Sequence, residues 1–155
     1  MALPDLLTIG LLAGIAGVGA WLDWHYRLLP NRLCVVALVA GLVVTGLGQG
    51  LAALLPHLGH AGLALLVGMA LFAGGVIGGG DAKFYAALAA WFPLAEGFRL
   101  LLLVALAGLV LTVALWLFVW RTVPAGRSHP AARGQPRTVP YGVAIAAGAV
   151  MMLVF

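Results

Sequence analysis

The chain contains four carboxylates, Asp5, Asp23, Asp81 and Glu96. Two of them stand at the ends of long apolar runs. Asp81 closes Gly78-Gly79-Gly80-Asp81 and precedes Ala82-Lys83-Phe84-Tyr85; Asp23 lies in Trp21-Leu22-Asp23-Trp24-His25-Tyr26-Arg27. An ionisable group at the end of a membrane-length segment is costly and calls for a function or a specific partner. If two such carboxyls approach within a few ångströms they cannot both ionise easily, so one keeps a proton near neutral pH. The ionised member can then take a proton from water. The protonated member can polarise a peptide carbonyl and later protonate the departing amine. This is aspartic-protease chemistry, and it needs neither a metal nor a cofactor.

Other uses of the two acids remain open at this level. Arg27 lies one helical turn beyond Asp23, and an exposed pair of that spacing contributes about 0.2–0.5 kcal/mol. A proton- or cation-coupled carrier would also place acids in its spans, although metal-coupled carriers generally supply further oxygen or nitrogen donors. In an inactive assembly subunit both acids would be structural. Lys83 reads either as a headgroup anchor or as a charge that tunes Asp81. Gly78, Gly79 and Gly80 can adopt backbone conformations closed to other residues, and a bent, open backbone there would let an extended peptide lie beside Asp81. A plainer role is to end one helix and turn the chain.

The elements that must hold these residues are membrane helices. The chain has 155 residues, of which 65% are hydrophobic and 8% charged, against roughly 25% charged in a soluble domain. So few charges cannot cover a water-facing surface. The expected fold is all-α, a single polytopic membrane domain with about six transmembrane helices of ~20 residues each. Hydropathy places the spans near residues 6–22, 33–51, 60–77, 82–94, 98–120 and 141–155. The fourth is too short to cross comfortably as a straight exposed helix, and the glycines before it must be covered by neighbouring helices. Abundant glycine, 22 residues, suits close helix packing in lipid.

The loops give an orientation. Arg27, Arg32, Lys83, Arg121, Arg127, Arg133 and Arg137 fall on one side, and Arg99 with Asp5, Glu96, His57 and His60 on the other. Positive loops stay in the cytoplasm, so both termini are expected outside, with Asp23 and Asp81 together at the cytoplasmic face of a bacterial inner membrane. The polar stretch Arg121–Val139, with four arginines and three prolines, reads as a loop against anionic lipid headgroups rather than a nucleic-acid site. Trp21, Trp24 and Trp120 read as interfacial anchors, and Trp91 as another near the opposite side. His57 and His60 read as loop residues, too few to form a metal site. His25 faces the headgroups or tunes Asp23. The single cysteine, Cys34, excludes an intrachain disulfide and reads as a small core residue.

Three ordered stretches resemble the type IV prepilin peptidases, the Gly-x-Gly-Asp class of membrane aspartic proteases. The first is Asp23-Trp24-His25-Tyr26-Arg27-Leu28-Leu29-Pro30-Asn31-Arg32-Leu33. The second is Gly78-Gly79-Gly80-Asp81-Ala82-Lys83-Phe84. The third is Val139-Pro140-Tyr141-Gly142-Val143-Ala144-Ile145-Ala146-Ala147-Gly148. The resemblance implies that Asp23 and Asp81 are the catalytic pair, with Gly78–Gly80, Lys83, Pro30 and Asn31 shaping the site. It implies removal of a short leader from a prepilin or pseudopilin at the cytoplasmic face, just before the pilin's hydrophobic helix. The larger family members carry a cysteine-paired cytoplasmic domain and also methylate the new N-terminus. This chain resembles the small, peptidase-only branch found with Flp-type tight-adherence pili, for which no methyl transfer is expected. The partners implied are the precursor and membrane lipid, and no nucleic acid. Two departures from the family pattern, Leu28 or Arg27 at a usually basic position and Pro93 where glycine is frequent, touch neither acid.

Overall fold

The computed structural model describes residues 3–120 and 139–154. The polar stretch at 121–138, read from sequence as a headgroup-binding loop, lies outside the described residues, as does the side chain of Trp120. Among the described residues the fold is all helical: α1 (Leu3–Tyr26), α2 (Asn31–Gln49), α3 (Leu54–Ala73), α4 (Gly79–Ala89), α5 (Gly97–Ala114) and α6 (Tyr141–Met151). Short 3-10 turns, Leu51–Ala53 and Leu94–Glu96, lead into α3 and α5, and α5 continues as a π-helical turn, Leu115–Trp120. Four helical stretches are long and apolar enough to cross a membrane: Leu6–Tyr26, Asn31–Gln49, Leu51–Ala73 and Leu94–Phe118. Helices α4 and α6 have 11 residues each, about 16 Å at 1.5 Å per residue, roughly half a hydrocarbon core.

The short helices form the centre. α4 packs on α2 and α3, α6 packs on α1 and α5, and the two touch each other. Burial follows this order: Ala82, Phe84, Leu88, Ala89 and Ala90 around α4 and Ala144 and Ala149 of α6 are almost wholly covered. The long helices expose leucine, valine and phenylalanine over much of their surfaces, as lipid-facing helices do. Small residues let the backbones meet. Gly19 of α1 lies against the ring of Phe84. A β-carbon at Gly148 of α6 would stand 2.7 Å from backbone atoms of Val104 on α5, and one at Gly68 of α3 would stand 3.0 Å from the Ala82 Cβ.

Two chain reversals set the candidate residues. Helix α1 ends at Arg27, in the left-handed region at φ 54°, whose N–H donates to the Asp23 carbonyl at 3.0 Å. This closes the helix in an αL cap. Helix α3 ends in a Schellman arrangement at Gly75, φ 73°: the Gly75 N–H donates to the Phe72 carbonyl and the Val76 N–H to the Leu71 carbonyl, both at 2.9 Å. The turn to α4 is therefore made by Gly75 and not by Gly78–Gly80. The non-helical backbone before Asp81 ends at Gly78, which is extended with φ −72° and ψ 142°, and Gly79 and Gly80 are already helical.

Two sequence expectations about the opposite end are corrected. His57 and His60 lie inside α3, buried to 1% and 3% exposure, and not in a loop. Trp91 is buried rather than interfacial, and its indole N–H donates to the Ala37 carbonyl at 2.9 Å. The histidines bond the carbonyls that end α4: His57 Nδ1 stands 2.9 Å from the Ala90 oxygen and His60 Nδ1 3.0 Å from the Phe92 oxygen. The Ala90 carbonyl caps α4 where its helical partners stop, and the Phe92 carbonyl lies in the turn beyond; a carbonyl only accepts, so each ring acts as a donor. Thr45 on α2 lies 3.3 Å from the same His57 nitrogen. Three side chains from two helices thus gather where α4 ends, and α4 carries Asp81 at its other end.

Candidate active site

Asp81 occupies the third position of α4, with Gly78 as N-cap. At that position a carboxylate can reach back to the N–H of the capping residue, the reciprocal half of a capping box. The Gly78 N–H is the hydrogen-bonding group that favours the Asp81 carboxylate. This arrangement requires a glycine for space, not for conformation. A β-carbon at Gly78 would lie 2.7 Å from Asp81 Oδ2. The next two glycines are less constrained: a β-carbon at Gly79 would meet the Phe72 ring at 3.2 Å, and one at Gly80 the Leu29 Cβ at 3.4 Å. A side chain would crowd its neighbours at Gly78 and Gly79, whereas at Gly80 a β-carbon would make ordinary contact.

Asp23 lies one turn before the end of α1 and is 6% exposed. Facing it is the start of α6, where the backbone N–H groups of Gly142 and Val143 interact with its carboxyl. A helix N-terminus presents N–H groups and a positive dipole end, which suit an anion; the Val143 N–H also donates to the Pro140 carbonyl at 3.1 Å. Gly142 makes the approach possible, since a β-carbon there would fall 2.8 Å from Asp23 Oδ2. That oxygen is buried without a hydrogen-bonding partner among the described residues. The Arg27 charge also acts on Asp23.

The two acids come from separate elements and feel each other. Asp81 stands outside the membrane-spanning helices, and its pKa is pushed up to about 6, first by burial and then by the neighbouring Asp23 charge. A carboxyl so placed holds its proton near the pH at which proton transfer works best. The loop between α1 and α2 supports the arrangement from the side. Pro30 caps α2, its carbonyl accepting from the Leu33 and Cys34 N–H groups at 3.0 and 3.4 Å. Asn31 Oδ1 accepts from Lys83 Nζ at 3.1 Å. Lys83 is thereby turned to the start of α2 and ties it to α4.

All eight residues singled out from sequence therefore fall into one region: Asp23, Pro30 and Asn31 from around the α1–α2 connection, and Gly78, Gly79, Gly80, Asp81 and Lys83 from the start of α4. The amides of Gly142 and Val143 are an addition. Their signal in the sequence is Pro140-Tyr141-Gly142, a proline and glycine opening a helix, but nothing local says which side chain they meet. No group of three or more His, Cys, Asp or Glu side chains able to hold a metal gathers among the described residues. His25 Nδ1 lies 3.0 Å from the Trp21 carbonyl of its own helix.

The model of the type IV leader peptidase family, Peptidase_A24, matches residues 2–113. No curated protein and no solved structure matches the chain. The matched span contains both acids, the α1–α2 connection and the glycines before Asp81. The chain is a helical membrane protein that belongs to the type IV leader peptidase family.

Proposed function

We propose that this leader peptidase is an aspartic endopeptidase in which Asp23 and Asp81 share one proton and flank a water. The observation that supports the proposal is electrostatic: each acid is seated against a glycine, and the Asp23 charge adds to burial in raising the Asp81 pKa. The ionised carboxylate takes a proton from water as the water oxygen adds to the scissile carbonyl carbon. The protonated carboxyl gives its proton to the carbonyl oxygen. The tetrahedral intermediate then collapses, the C–N bond breaks, and the amine leaves with a proton from the dyad. Pro30, Asn31 and Lys83 hold the α1–α2 loop against α4, Gly78 leaves room beside the Asp81 carboxyl, and Gly79 and Gly80 let the start of α4 pack on Phe72 and Leu29.

The substrate is a prepilin-type precursor of the Flp kind, cut at the cytoplasmic face of a bacterial inner membrane with both termini of the peptidase outside. Support for the face comes from the basic residues Arg27, Arg32 and Lys83, which flank the two acids in the sequence and mark a cytoplasmic side. The reaction ends at hydrolysis, with no methyl transfer. Co-expression of a Flp-type prepilin with the peptidase tests this reading. The pilin should lose its leader mass and gain no methyl group. A pilin that keeps its leader when paired with its own peptidase would contradict the substrate assignment, and an added methyl group would contradict the hydrolysis-only reading.

A further inference from the structure

Helices α3 and α5 face each other across a groove of about 680 Å³. Its floor is made by the short helices, through Ala82 and Tyr85 of α4 and Tyr141 and Ile145 of α6. On one wall α3 turns Leu63, Val67 and Leu71 inward, and on the other α5 turns Leu101, Ala105 and Thr112. The spacings of four and seven place each set on one helix face. Asp81 lies at one end of the groove, and His60 and Gly97 line the other. The stretch from Leu71 back to His60 covers about 17 Å at 1.5 Å per residue, some three helical turns.

Two polar groups of the walls are already bonded. Thr112 Oγ1 donates to the Gly108 carbonyl at 2.7 Å, and the His60 ring is bonded to the Phe92 carbonyl. The groove therefore presents mainly hydrocarbon along its walls, with the Tyr85 and Tyr141 rings on its floor and a carboxyl at one end. An occupant must match both. A lipid chain would cover Leu63, Val67 and Leu101, each about half exposed, but gives Asp81 no bond to act on. A soluble peptide would meet the carboxyl but leave the walls bare. A chain with a polar stretch joined to an apolar helix meets both, and within lipid its apolar part must be helical to satisfy its own backbone. A smaller groove of about 460 Å³ between α2, α3 and α4 has Lys83 and Asn31 at its edge and neither acid, so it does not lead to the dyad.

We propose that the groove between α3 and α5 seats the apolar helix on the C-terminal side of the cleaved bond in the peptidase's own substrate. The bond lies at the Asp81 end, and the helix runs from Leu71 toward His60 and Gly97. The direction comes from the chemistry of leader removal: the leader precedes the bond, so the membrane-embedded part lies after it. The proposal rests on Asp81 being one of the catalytic pair. It adds a membrane subsite that reads the substrate's apolar segment in register with the scissile bond.

Pairwise crosslinking tests it. The peptidase carries Cys34→Ala to remove its own thiol and Asp23→Asn to hold the precursor uncut. A single cysteine is placed at Leu71, Val67 or Leu63, and another in the prepilin at positions about one, five and nine after the bond, one helical turn or so apart. A short bismaleimide should give a peptidase–prepilin adduct in a ladder: the first position with Leu71→Cys, the second with Val67→Cys, the third with Leu63→Cys. Val43→Cys, on the exposed face of α2, should give none. The peptidase with Asp23 and Asp81 intact is assayed beside it for cleavage of the same precursor. Cleavage with a reversed ladder, with adducts at Val43→Cys, or with no groove adduct overturns the groove assignment and leaves the leader-peptidase reading standing. Failure to cleave a cognate precursor overturns both.

Discussion

A β-carbon placed on Gly142 would stand 2.8 Å from Oδ2 of Asp23 and 2.9 Å from its Cβ. The start of α6 therefore presses its backbone on the acid near the end of α1, and Asp23 has no slack to absorb a side chain there. Gly142→Ala should destabilise the protein by about 1–3 kcal/mol through overpacking. It should lower leader cleavage more than its stability loss explains, since an ångström of misplacement costs about 10²-fold. Gly14→Ala, where an added β-carbon has nothing within 4 Å, should leave both quantities near wild type. Thermal unfolding in detergent and cleavage of a prepilin measure the two effects side by side.

Gly78 bears the same relation to Asp81, with 2.7 Å from a hypothetical β-carbon to Oδ2. Here the conflict is with the tip of one side chain, so folding tolerates it better. Gly78→Ala should shift the melting temperature little and turn the Asp81 carboxyl away from the Gly78 N–H, with a loss of cleavage of about 10-fold or more. Cleavage at the wild-type rate in Gly78→Ala would show that the seat of Asp81 against this glycine is irrelevant to the chemistry.

Asp81 also predicts a pH dependence of stability. Its pKa rises from 3.8 to about 6 on folding. Between those values the native state binds more protons than the unfolded state, so this group makes stability fall as pH rises through the window. Below it the carboxyl is protonated in both states; above it the cost of burying the charge is fully present. The unfolding midpoint of wild type relative to Asp81→Asn should therefore drop between about pH 4 and pH 6 and level off above. A flat difference across that range would rule out a raised pKa at Asp81.

The bonds around the end of α4 make a separate prediction. His57→Phe keeps the ring's bulk but leaves the Ala90 carbonyl without its histidine partner in a buried place, at a cost of about 1–3 kcal/mol. His60→Phe does the same to the Phe92 carbonyl. Both should raise hydrogen exchange at the C-terminal end of α4 before that of α2, and neither should change the Asp81 pH dependence. Loss of that dependence in either variant would mean that the histidines act on Asp81 directly.

The acids, the loop charges and the existence of the helices are legible in the sequence because each is a local signal: rare carboxylates at the ends of apolar runs, and arginines between them. The start of α3 is not. Pro56 and two histidines lower the hydropathy there, yet proline is accommodated in a first helical turn, and His57 and His60 are satisfied by carbonyls 33 and 32 residues away. Trp91 escapes for the same reason, since its partner Ala37 is 54 residues away. The glycines before Asp81 are legible as a group but not in their physical role. Their usual signature is conformational freedom, whereas here Gly78 and Gly79 give space to Asp81 and Phe72. Such roles depend on which helices meet, and periodicity along one helix carries no information on that.

If Asp23 and Asp81 act as one catalytic unit on a prepilin leader, their losses cannot be independent. The decisive measurement is the cleavage rate of purified wild type, Asp23→Asn, Asp81→Asn and the double variant, at matched protein levels and with folding checked. Each single change should lower the rate by about 10²–10⁴-fold, and the double change should cost no more than the worse single one, because removing either acid disables the pair. Cleavage persisting in either single variant, or losses that multiply in the double variant, would contradict the pair.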